Sequence, residues 1–172
     1  MATFAALADD FAKLNTALLG LSVDSVSSHL AWIKNIQERI RFNDYSGQQI
    51  SFPIIADMKM EVAKKYGMIQ PYASDTKAVR AVFVVDPKGK IRAILYYPLS
   101  TGRNFEEIKR LLEALQTTDK YGVATPANWK PGESVLAGAP SDSQAMYERI
   151  EKTPAELYCQ DWFFCTKDAP LA

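Results

Sequence analysis

Histidine occurs once in this chain, at position 29, and cysteine only twice, at positions 159 and 165. A closed metal site takes about four ligands, and His29 lies more than a hundred residues from either thiol, so no metal centre is expected. Charge of one sign is also missing. Twenty basic residues balance twenty acidic ones, which removes the global field that would favour nucleic acid or an anionic membrane. The longest apolar runs, such as Leu18 to Leu21 and Ala81 to Val85, fall far short of the ~20 residues that cross a bilayer. The opening MATFAALADDF has neither the basic region nor the long apolar stretch of a secretory signal, so a cytoplasmic protein is expected. In a reducing compartment two cysteines point to catalysis, redox sensing or metal binding rather than to a permanent staple.

What the chain does hold is core-forming material. Its 172 residues are 48% hydrophobic and 23% charged, which suits one compact domain with an appendage. Phe4, Leu7, Phe11 and Leu14 recur at helical spacing, so residues 1 to 16 read as an amphipathic helix that already encloses Met1. Leu18 to Val23 reads as a buried strand. Ser27 or Ser28 then caps a helix whose inward stripe is Leu30, Ile33, Ile36 and Ile40, with His29 on its surface and Trp32 packed. SFPIIAD is a short extended piece, and Asp57 is placed to cap a helix that stops at Gly67. Val79 to Val85 and Ile91 to Tyr97 flank DPKG, a type I turn by its residue preferences. Asn104 with Glu107 resembles a capping box ahead of a helix buried through Phe105, Ile108, Leu111, Leu112 and Leu115.

From Thr117 onward the texture changes: residues 117 to 142 hold three of the nine prolines and three of the eight glycines. That places a domain over residues 1–116 and an arm over 117–172. Strands alternating with helices and closing in a hairpin indicate an α/β sandwich with a mixed sheet, although three strong strands are few for four helices.

The strings LLGLSVDSVSSHLAW, FPIIAD, VRAVFVVDPKGKIRAILYYPLSTGRNFEEIKRLLEALQ and VATPANWKPGESV, in this order, resemble a peroxiredoxin of the one-cysteine subfamily over nearly the whole chain. The resemblance implies a thioredoxin-like α/β fold lacking its amino-terminal strands, with a carboxyl-terminal dimerisation arm. It also implies that the peroxidatic cysteine falls a few residues before Met1, together with a central strand, and that the isolated chain is inactive. The activity implied is thiol-dependent reduction of hydrogen peroxide and alkyl hydroperoxides in a homo-oligomer. A thiol such as a thioredoxin-like protein would be the reductant, and no metal, haem or flavin is implied. Arg80 matches the family arginine that lowers the thiol pKa and steadies the leaving oxygen; Arg103 matches a supporting arginine whose acidic partner has no counterpart here. An interaction or assembly protein that keeps the family surface without catalysis is the alternative.

The tail YCQDWFFC carries the remaining chemistry. Cys159 and Cys165 could be inert thiols packed among Trp162, Phe163 and Phe164, or a redox pair, which would need a turned tail with Cα atoms within about 7 Å. The tail is similar to that of archaeal and some bacterial members. That similarity implies Cys165 as the resolving thiol and Cys159 as its exchange partner, with the reverse assignment open.

Overall fold

Phe4 and Phe11, read from their spacing as one face of a single helix, do share a face, but the helix comes in two pieces. In the computed structural model, which describes residues 1–42, 45–69 and 80–169, α1 (Ala2–Ala6) and α2 (Ala8–Lys13) meet at Leu7, whose φ of −99° and ψ of 7° leave helical geometry. The rings of Phe4 and Phe11 lie 6.0 Å apart, and Phe4 meets Phe105 edge-on at 4.5 Å. Two compact units divide the chain, Met1–Phe105 and Glu106–Ala172.

In the first unit, β1 (Gly20–Ser22) and β4 (Ile54–Ala56) pair in parallel with Gly20 opposite Ile54. The crossover between them carries α3 (Val26–Glu38) and a short antiparallel pair, β2 (Arg41–Phe42) with β3 (Tyr45–Ser46). The cap of α3 is Ser25, whose Oγ accepts the Ser28 N–H at 3.1 Å, rather than Ser27 or Ser28. Its inward face also differs from the expected stripe. His29 is 5% exposed; of the expected stripe Ile36 is 3% exposed and Ile33 half-buried, whereas Leu30 is 64% exposed, and Ile40 at 40% and Trp32 at 38% are only partly covered. The reason is a polar pairing: the Nε2 of His29 lies 2.6 Å from Ser22 Oγ on β1, which satisfies the ring in the interior and selects its face.

Asp57 follows β4 and is buried, its two carboxylate oxygens accepting the N–H groups of Val62 at 3.1 Å and Ala63 at 2.7 Å. It thereby caps α4 (Glu61–Lys65), and the chain leaves the helix through Gly67 at φ +65°. Strand β5 (Arg80–Val85) pairs antiparallel with β6 (Ile91–Tyr97); Val79, expected in the same strand, lies outside the described residues. The turn closes as its residues predict. Gly89 N–H donates to the Asp86 carbonyl, and Asp86 Oδ1 accepts from Lys88 and Lys90. Among the described residues, β1 is hydrogen-bonded only to β4 and β5 only to β6, so each keeps an open edge.

The second unit is built on α5 (Phe105–Tyr121), which extends past Thr117 to Tyr121. Arg110 chelates the Glu107 carboxylate at 2.6 and 2.8 Å and donates to the Trp129 carbonyl, tying the irregular stretch to the helix. Ala114, Val123, Trp129 and Val135 form the buried cluster beneath it. Beyond, β7 (Val135–Leu136), α6 (Ser143–Glu151), β8 (Tyr158–Asp161) and β9 (Phe164–Lys167) follow, with β9 central in a β7–β9–β8 sheet. No helix among the described residues is long and apolar enough to cross a membrane.

Two outcomes follow from these contacts. The open edges of β1 and β5 should make the isolated chain self-associate, and a monodisperse monomer by light scattering would contradict this. Asp57→Ala should lower the stability of the chain by about 1–3 kcal/mol in urea titration, and Asp57→Asn by less, because alanine leaves one buried and one part-buried N–H group without this acceptor.

Candidate functional site

Two guanidinium groups converge at one end of the β5–β6 hairpin. Arg80 is the first residue of β5, opposite Tyr97, and its Nη1 donates to the Thr101 carbonyl at 3.0 Å. Arg103 stands just before α5, and its Nη2 donates to the Ala81 carbonyl at 3.4 Å, which draws it back alongside β5. Its Nε is buried and, among the described residues, has no hydrogen-bond partner. Burial holds the Arg103 pKa below its ordinary value, the neighbouring charge of Arg80 lowers it further, and Tyr97 opposes both.

Met1 lies beside this pair. Its side chain packs over Gly20 of β1, where an added Cβ would meet the Met1 methyl at 3.3 Å. Its amino group is held below the ordinary 8.0, first by burial and then by the charges of Arg103 and Arg80. The spacing of apolar residues placed Met1 within the first helix; only the tertiary arrangement turns it toward the two arginines. Cations brought together and partly desolvated favour an anion, or a group on which negative charge develops.

The second unit holds the cysteines. Cys159 on β8 and Cys165 on β9 are directly opposite across an antiparallel hairpin, with Cα atoms 4.0 Å apart, and they form a disulfide. The tail is turned, as pairing required, by an antiparallel hairpin whose register shifts between Cys159 and Asp161. The inert-thiol expectation does not hold, since both sulfurs are bonded. His29 belongs to the first unit and is engaged with Ser22, and among the described residues no three potential metal ligands cluster. Cys165 is 1% exposed, while Cys159 is half-buried and lines a cleft of about 230 Å³ with Arg149, Ile150, Thr153, Gln160, Asp161 and Trp162. Arg149 was not legible as a site residue, because one arginine on a polar helix carries no local signal of a cleft.

Comparison with known proteins gives matches over both units. A family model for the AhpC/TSA family matches residues 1–94, and one for the C-terminal domain of 1-Cys peroxiredoxin matches residues 114–153. A peroxiredoxin of Methanosarcina mazei is 55% identical over 165 residues, covering 96% of this chain and 75% of its own length. One from Aquifex aeolicus is 49% identical over 171 residues, covering 95% and 74%. Among solved structures, a cysteine-to-serine mutant of the Peroxiredoxin 6 of Arenicola marina superposes with a TM-score of 0.79 at 30% identity, covering 99% of this chain and 78% of that one. A yeast mitochondrial 1-Cys peroxiredoxin, described with a thiol resolving mechanism via glutathione/thioredoxin systems, superposes at 0.78 with 34% identity, covering 98% and 78%.

The Met1 amino group generates a pH dependence. With its folded pKa below 8.0, the unfolded chain binds more protons between the two values, so stability should rise with pH through that window up to about 8. Acetylating the amino terminus should remove this component from urea midpoints measured across the range. Arg80→Met should shrink it, by relieving one of the charges that depress the amine. Identical pH profiles for the free and acetylated chains would refute the placement of Met1 beside the arginines.

Proposed function

The chain belongs to the peroxiredoxin family, whose members are thiol-dependent peroxidases, and from that premise we propose that it forms the greater part of an enzyme reducing hydrogen peroxide and alkyl hydroperoxides. The reaction needs a thiolate. Its sulfur forms a bond to one peroxide oxygen, the O–O bond breaks, and the second oxygen leaves as hydroxide or alkoxide, taking up a proton to give water or an alcohol. The sulfur is oxidised to a sulfenic acid. Only two cysteines occur in the chain and they bond to each other, so the attacking thiol in this reading comes from sequence upstream of Met1, and the 172-residue chain does not turn over.

One observation carries the reading: Arg103 keeps a buried Nε without an acceptor beside Arg80, at the point where Met1 enters the fold. A thiolate and an acidic neighbour arriving from upstream would supply the missing negative charge. In this assignment Arg80 holds the thiol ionised and stabilises the leaving oxygen, and Arg103 keeps Arg80 in place. Residues 117–172 act as the carboxyl-terminal arm of a homo-oligomer. The Cys165 thiol condenses with the sulfenic acid, releasing water and forming a mixed disulfide. The Cys159 thiolate then attacks the Cys165 sulfur, freeing the peroxidatic thiolate and leaving the Cys159–Cys165 link for a thiol reductant such as a thioredoxin-like protein to open.

A second reading, an assembly or interaction protein without catalysis, draws on the same disulfide, which leaves no free thiol among the described residues. Peroxide consumption with a thiol reductant separates the two. The chain as written should show negligible turnover, and a form extended in frame upstream should be active. In the extended form Arg80→Ala should slow the attack on peroxide by about 10²-fold, the scale for removing one stabilising donor. Cys165→Ser should stall the enzyme as sulfenic acid or drive it to over-oxidation. An inactive extended form would favour the assembly protein, and a short chain as fast as the extended one would overturn the upstream thiol.

A further inference from the structure

The two sulfurs of the Cys159–Cys165 link are not equivalent, and we infer that a low-molecular-weight, carboxylate-bearing thiol opens it by attacking Cys159 through the cleft beside Arg149. Thiol–disulfide exchange runs in line: the entering sulfur approaches one disulfide sulfur from the side opposite the other. Access to the attacked atom therefore decides the direction. Cys165 sits on β9, the central strand, is 1% exposed, and its carbonyl accepts the Ala137 N–H. Cys159 sits on the edge strand β8, is half-buried, and forms part of the cleft wall.

The cleft also has a chemical character. Arg149 is half-buried, and its Nη1 is held by the carbonyls of Gly138 at 2.9 Å and Trp162 at 3.2 Å. Nη2 and Nε make no hydrogen bond among the described residues and are available to a carboxylate. Asp161 lines the same cleft, with Oδ1 engaged by the Trp162 N–H, so one fixed cation and one fixed anion face an entering molecule. That pair suits a thiol carrying both a carboxylate and an ammonium group, and about 230 Å³ admits a small thiol.

The steps balance as a two-electron reduction. A first thiolate bonds to the Cys159 sulfur and expels the Cys165 thiolate, which takes up a proton. A second thiol then attacks the external sulfur of the mixed disulfide, leaving as the oxidised external disulfide and returning Cys159 as a thiol. The two external thiols lose two protons and two electrons to the protein.

This inference rests on the tail pair being a redox couple, and the test keeps the two apart. The oxidised chain is treated briefly with glutathione, quenched in acid, unfolded, alkylated and mapped by mass spectrometry. Glutathione is expected on Cys159 and the alkyl group on Cys165. In the single-cysteine variants, oxidised glutathione should modify Cys159 in Cys165→Ala about ten times faster than Cys165 in Cys159→Ala, because access limits exchange. Opening by glutathione should slow roughly three-fold in Arg149→Gln, the scale of one exposed ionic contact, while opening by the uncharged 2-mercaptoethanol stays unchanged. Arg149→Lys should retain the preference for glutathione, which a purely structural role for Arg149 would not allow. Glutathione found mainly on Cys165, or equal slowing of both thiols in both Arg149 variants, would overturn the inference while leaving the redox couple intact. An oxidised chain with no Cys159–Cys165 link would overturn both.

Discussion

A half-buried guanidinium whose buried Nε has no partner among the described residues governs the amino-terminal unit. Among the described residues Arg103 gives one hydrogen bond, to a backbone carbonyl at 3.4 Å, and a carbonyl dipole cannot neutralise a full charge. Its Nε is left without a partner among the described residues, and Arg80 adds a second positive charge beside it. An unpaired buried donor costs about 1–3 kcal/mol, so the arrangement persists only because the surrounding fold imposes it. Such a pair is preorganised for negative charge: it need not rearrange when an anion forms within its reach.

The framework that imposes it is local and regular. The Asp86 turn sets the β5–β6 register and places Arg80 at the far end of the hairpin, opposite Tyr97. The chain then runs from Tyr97 past Thr101, whose carbonyl takes Arg80, to Arg103, which returns to Ala81. Gly20, on the parallel β1–β4 pair, leaves room for the Met1 side chain. Its connection is locked by two buried polar groups, His29 on Ser22 and Asp57 on the start of α4. His29 and Asp57 thus each position an element as well as satisfying themselves.

In the carboxyl-terminal unit, an antiparallel hairpin gives two chemically identical cysteines different environments. A strand bordered on both sides buries Cys165, and an edge strand leaves Cys159 beside a cleft. Access to sulfur, more than sulfur chemistry itself, distinguishes the two.

Much of this is legible in the sequence alone. Helical and alternating periodicity located the main elements, DPKG announced its turn, Asp57 its cap, and the family strings carried the thioredoxin-like fold and singled out Arg80, Arg103 and the cysteine pair. These signals are local, because backbone geometry and turn chemistry act over a few residues. The inward face of α3 was not legible, since Leu30 and Ile40 are more apolar than His29 and only the approach of Ser22 from another element makes the histidine the buried choice. Nor were the facing of Met1 toward two arginines about eighty and a hundred residues away, the cross-strand register of the cysteines, or the cleft beside Arg149. Composition and spacing determined which groups the chain carries; burial, register and long-range contact decided which of them meet, because desolvation and charge coupling depend on distance in space.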